Sequence, residues 1–155
     1  QTKSVIAKVS VICAYIKRRG NLLMLGEEGN IIPAIELEYC IRESLDNLRL
    51  GDVFTSFDSK CDGTLKLEHA VVAFDFYENI VERLLDDATA MLIHLDCKDC
   101  FIKMRLQIGC NEDIAEHTLS ELSIPCGTFE WDIQDEDVTV TLLLSEGVTA
   151  NDRLL

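Results

Sequence analysis

LEHAVVAFDFYENIVERLL, residues 67–85, decides how the chain is read. Leu67, Val71, Phe74, Val81 and Leu84 recur at spacings of three, four and seven. With about 3.6 residues per helical turn, those spacings put all five on one face of an amphipathic helix. Glu78 and Glu82 stand four apart, so both are expected to project from one neighbouring strip of helix surface. The strand-like runs TAMLIHL and FIKMRLQIG follow, read as strands over 88–95 and 100–108 around the turn DCKDC.

Upstream, VFTSF and TLKL flank the turn SKCDG, and their alternation predicts an antiparallel pair. Residues 34–49, AIELEYCIRESLDNLR, read as a helix burying Leu37, Ile41, Leu45 and Leu48, with Pro33 at its first turn and Gly51 as its stop. Residues 4–25 read as another helix, ended by Gly26 and Gly29. In it Val5, Val9, Ile12, Ile16 and Leu23 have coiled-coil seam spacing, interrupted by Arg19. Two readings are open: a helix packed on its own domain, or half of a helical hairpin that dimerises. Apolar residues on more than one face favour the second. Downstream, 111–122 read as a short helix, Pro125 and Gly127 break the chain, and TFEWDIQ with DVTVTLLL forms a closing hairpin around Asp135 and Glu136. Hairpins with helices between them imply a two-layer α/β sandwich, its sheet mixed but largely antiparallel and its helices on one face.

Composition narrows the function. Hydrophobic residues make up 48% of the 155, enough for a core in one domain. The formal charge of −14 opposes nucleic-acid binding, and the only basic cluster is Lys17-Arg18-Arg19. No apolar run is long enough to insert in a membrane. The seven cysteines are odd in number and scattered, which suggests a reducing cytoplasm rather than a disulfide framework. Cys13, Cys40 and Cys110, among apolar neighbours, read as small core residues.

From about Leu37 onward the order of elements resembles the catalytic half of sensor histidine kinases, members of the GHKL ATPase superfamily. FYENIVERLLDDATAMLIHL resembles the family's Glu-bearing helix and the strand after it, and FEWDIQDEDVTVTLLL its last two strands. The resemblance implies a boundary: an N-terminal dimerisation-type helix over 1–30, a histidine kinase-like ATPase domain over 34–148, and a tail over 149–155. It also implies roles. In the family, a Glu-x-x-x-Asn on that helix activates water and holds Mg²⁺. Glu78 falls at the Glu, the catalytic position, and Glu82 at the Asn. The family's Asp-x-Gly-x-Gly nucleotide motif falls at Gly109-Cys110-Asn111-Glu112-Asp113, so Gly109 and Asp113 occupy nucleotide-binding positions.

The departures are as telling as the match. Only one glycine stands at the first motif, and none lies between Gly109 and Gly127. Triphosphates are held by amides of glycine-rich turns, by helix N-termini and by Mg²⁺. A carboxylate can bind Mg²⁺, so Glu82 alone decides nothing; its loss of the amide together with the missing glycines does. The phosphoacceptor histidine is missing too: His69, His94 and His117 lie in the wrong segments.

Two other motifs compete. Glu43-Ser-Leu-Asp-Asn47 spells Glu-x-x-x-Asn better, yet a hairpin and a further helix intervene before any glycine motif, and an exposed polar helix face explains it. Cys97-Lys-Asp-Cys100 spells CxxC, but zinc needs four ligands and no second pair is present. A redox CxxC would sit at a helix N-terminus. Two turn cysteines are expected, with Cys61 and Cys126 the loop cysteines able to join them. No metal site is expected.

The expectation is a degenerate ATPase-like domain of a two-component sensor histidine kinase. It would bind no cofactor, pair as a homodimer through its N-terminal helix, and engage a response regulator. The alternative is an active domain that binds ATP and Mg²⁺ in an unusual pocket; a third is a structural protein that keeps only the fold.

Overall fold

The computed structural model describes residues 2–145; the expected tail over 149–155, and the last residues of the expected ATPase domain, lie outside them. Of four helices, α2 (Ile35–Leu48), α3 (Leu67–Leu84) and α4 (Glu112–Ser120) cover one face of a five-stranded sheet, and α1 (Thr2–Leu25) packs on α2 and α3. The strands are β2 (Phe54–Asp62), β4 (Ala90–Lys98), β5 (Phe101–Gly109), β6 (Thr128–Gln134) and β7 (Asp137–Ser145), in the order β2-β4-β5-β7-β6. All pairings are antiparallel except β2 with β4. The two-layer sandwich is therefore as expected, with a mixed and largely antiparallel sheet.

Strict alternation makes the inner layer. Met91, Ile93, Leu95 and Cys97 on β4, Ile102, Met104, Leu106 and Ile108 on β5, and Val138, Val140, Leu142 and Leu144 on β7 all face the helices and are buried. Successive side chains point to opposite faces, so the residues between them meet solvent.

The hairpin expected from VFTSF and TLKL does not form. Gly63, at φ +73°, turns the chain out of the sheet. β3 (Thr64–Lys66) then pairs with a short strand, β1 (Ile31–Pro33), that the sequence did not announce. β2 instead runs parallel to β4, which requires a crossover, and α3 supplies it. The β4–β5 turn is also tighter than expected: Asp99 and Cys100 alone make it, both at positive φ.

α3 is buried more widely than its periodicity implied. Phe74, Val81 and Leu84 are buried as expected, whereas Leu67 and Val71 stand at the rim. Ala73, Phe76, Tyr77 and Ile80 are buried as well, because α3 meets the sheet on one side, α1 and α2 on another, and α4 beyond. Tyr77 donates to Ser44 Oγ at 2.9 Å, which satisfies its buried hydroxyl on α2. Trp131 is on edge strand β6 and 38% exposed; Phe129 makes an inward contact, with Phe76 at 5.2 Å.

α1 docks on its own domain. Its buried residues are Ala7, Val11, Ala14 and Leu22, which lie against α2 and α3. The seam residues Val5, Val9 and Ile16 are not among them: they are 62%, 56% and 65% exposed. Cys13, read as a core residue, is exposed on this outward side, while Cys40 and Cys110 are buried.

Candidate functional site

The site must be built from α3 outward, because that helix carries Glu78 and Glu82. The chain places Asp75, Glu78 and Glu82 along one strip of it, with Asp86 in the turn just past its end. α1 runs antiparallel across this strip, held at both ends. At one end Lys8 Nζ is 3.6 Å from Asp86. At the other, Arg19 donates to both Asp75 oxygens, at 3.0 and 3.2 Å, and Tyr15 donates to Asp75 at 2.6 Å. Burial and the Asp75 carboxylate push the Tyr15 phenol up to about 12.

The basic cluster is thus a fastener. Arg19 binds α3, while Lys17 (at 2.8 Å) and Arg18 both donate to Glu43 on α2. The hydrogen bond from Lys17 leads in holding the Glu43 carboxyl below its ordinary value, with Arg18 adding to it. Asn47 donates to the Glu43 backbone carbonyl at 3.0 Å. In the competing Glu-x-x-x-Asn, Glu43 therefore holds α1 and Asn47 bonds within α2, rather than forming an exposed polar face.

Glu78 lies between the two anchor points and is only 2% exposed. It shares a strip of α3 with Glu82, as expected, but at Glu78 that strip is buried rather than at the surface. Neither of its carboxyl oxygens has a hydrogen-bond partner. Burial first, then the neighbouring Glu82 carboxyl, raises its pKa from 4.5 to about 9. Burial and the second carboxyl both favour the protonated form of Glu78.

A pH dependence follows. The folded state keeps the Glu78 proton that an unfolded chain releases near 4.5. The stability this group contributes is complete below that value and is lost as pH rises through about 9. Urea unfolding at pH 6 and pH 9 is expected to give the lower unfolding free energy at pH 9, and Glu78→Gln to flatten the difference. Equal pH dependence in both proteins would assign it to other groups.

Glu82 and Asp113 are brought together. They line an open cleft of about 590 Å³ between α3 and α4, with Lys8, Arg83, Asp86, His117 and Glu121 among the other walls. Its cations already face carboxylates: Lys8 meets Asp86, and Arg83 Nη1 is 3.2 Å from Glu121. His117 is 3.4 Å from Glu121 as well. Four carboxylates against two permanent cations make the cleft hostile to a triphosphate.

The backbone donors are also taken. Asn111, which sequence reasoning did not single out, caps α4 by accepting from the amides of Asp113 (2.9 Å) and Ile114 (3.2 Å). The signal was legible: Asn followed by two acidic residues opening a helix. The Asn111 amide itself donates to Asp87. Gly109 is not in a loop but inside β5, paired with Ala90 on one side and Asp137 on the other. A Cβ there would stand 2.8 Å from Thr89 Oγ1, so close strand packing accounts for this glycine.

The three histidines stay apart: His94 Nδ1 is 3.2 Å from Asp58 on the open sheet face, His117 is on α4, and His69 is on α3. Among the described residues no group of three or more His, Cys, Asp or Glu is placed to hold a metal ion.

Solved structures with this arrangement are histidine kinase domains and their kin. The histidine kinase domain of the Erythrobacter litoralis EL346 blue-light activated histidine kinase is similar at a TM-score of 0.55 and 11% identity, over 84% of this chain and 74% of that one. A structure described as a bacterial phosphotransferase is similar at 0.50 and 9% identity, over 89% of this chain and 92% of that one. No family model and no curated relative matches the chain. At such identities the likeness is one of fold: this is the histidine kinase-like, GHKL-type ATPase fold.

Proposed function

We propose that this fold has lost nucleotide binding here and serves two-component signalling as a dimerising, partner-binding module. The reading rests on the cleft between α3 and α4. At the positions where the resembled family holds nucleotide, Glu82 and Asp113 face an acidic, donor-poor space, and Glu78 is buried with its pKa raised. A buried acid in its neutral form neither activates water nor orients a metal shell. The reading takes no cofactor; ATP and Mg²⁺ belong to the alternative of an active kinase domain.

A structure described as a bacterial phosphotransferase shares the fold, which suits a role in phosphoryl relay. The partner in that role is a response regulator. α1 carries no histidine, so a phosphoacceptor would lie outside it. In this reading residues 1–30 are the dimerisation-type helix and 34–148 the ATPase-like domain, working in the cytoplasm. No helix among the described residues is long and apolar enough to cross a membrane.

Calorimetry with ATP and Mg²⁺ tests the proposal. No saturable heat is expected up to ~1 mM nucleotide, a free energy of about −4 kcal/mol or weaker. A micromolar dissociation constant would overturn the degenerate reading in favour of an active domain.

A further inference from the structure

The CxxC at Cys97 and Cys100 is divided by the fold. Cys100 sits in the β4–β5 turn, while Cys97 is on β4 and points into the core. Its opposite number across the sheet is Cys61, which the β2–β4 register places directly beside it. Both side chains are on the helix-covered face, Cys97 buried and Cys61 half-buried against the core. Paired strands lie about 4.8 Å apart, within the Cα separation of roughly 4.4–6.8 Å that a disulfide spans.

α2 roofs this end of β2: Ser59 donates to Glu38, and the Arg42 guanidinium lies 4.9 Å over the Phe57 ring. β2 is also an edge strand, so Cys61 is reached from solvent and Cys97 is not.

We propose that Cys61 and Cys97 form a reversible redox pair, oxidised by a small-molecule disulfide such as oxidised glutathione to a bond that staples edge strand β2 to β4. The Cys61 thiolate attacks one glutathione sulfur; the glutathione S–S bond breaks, and one glutathione leaves as thiolate and takes up a proton. Cys97 attacks the Cys61 sulfur of the mixed disulfide and gives its proton to the departing second glutathione, which leaves as a thiol. Two protein thiols are oxidised, and one glutathione disulfide is reduced to two thiols.

The order of attack follows from exposure and acidity. Contact with the Cys61 thiol and then burial hold Cys97 above the ordinary thiol range, so Cys97 is the poorer first attacker. Placement beside Cys61 drives the second step instead. The staple closes a loop containing all of β3 and α3, tying together the two strands that flank the helix carrying Glu78.

The test treats the whole chain with oxidised glutathione at neutral pH, alkylates remaining thiols after unfolding, and maps the peptides. Expected is a Cys61–Cys97 cross-linked pair, lighter by two hydrogens than the reduced peptides and lost on dithiothreitol. In Cys61→Ser, Cys97 is expected to stay fully alkylatable. The wild-type map decides even if that variant folds poorly. Cys61 carrying glutathione with Cys97 still reduced, Cys97 joined to Cys100, or no thiol consumed would each overturn the proposal.

Discussion

Phe74→Ala is expected to lower the unfolding free energy by about 3–5 kcal/mol. The side chain is fully buried on α3. Its ring lies 5.1 Å from Tyr15 of α1 and 6.5 Å from Tyr77, whose hydroxyl is tied to α2. Truncation empties a space walled by three helices that other contacts hold in place, so little collapse can fill it. A domain of this size has about 5–15 kcal/mol in all, and the loss is a large share. Urea unfolding followed by circular dichroism measures it. A loss below about 1 kcal/mol would mean that the α1–α3 contact is not as described.

If the chain pairs as proposed, Val9→Asp is expected to weaken that pairing by about 100-fold or more while leaving the domain folded. α1 meets its own domain through Ala7, Val11, Ala14 and Leu22, and its charged anchors fix that orientation. Val5, Val9 and Ile16 are left on the outer side, more than half exposed, with Ile12 half-buried among them and Met24 further along at 67%. An apolar stripe of this length on an exposed surface calls for cover, and a second copy of α1 offers a matching seam. Burying a carboxylate there costs several kcal/mol, enough to weaken a micromolar dimer by about 100-fold or more. Sedimentation equilibrium of both proteins at ~100 µM, with a urea melt of each, separates the outcomes. A monomeric wild type would remove the dimer; an unfolded variant would mean that the seam packs inward.

Helix positions, the closing hairpin and the two-layer plan were legible because each is written in short-range periodicity. The apolar spacing of 67–85, the stripe Leu37, Ile41, Leu45 and Leu48, and the alternation of FIKMRLQIG each record which side of an element is dry. None of these records a partner. TLKL alternates whether it pairs with β2 or, as it does, with β1. β2 reads the same beside a parallel β4 as in a hairpin, since a hydrogen-bond ladder leaves no mark on composition.

The candidate site divides along the same line. That position 82 is a glutamate and that no glycine lies between Gly109 and Gly127 was written in the sequence, and a phosphate cradle needs glycine backbones. That Glu78 is buried, with its pKa raised, was decided by tertiary structure alone. Its state depends on α1 lying across α3, fastened by Lys8, Tyr15 and Arg19, residues about 60–80 positions away in the chain. Likewise CxxC spelling drew Cys97 toward Cys100, whereas strand register set it beside Cys61. Local pattern fixes which way a side chain faces; only the packing of distant segments determines what it faces, and a carboxyl or a thiol takes its chemistry from that neighbour.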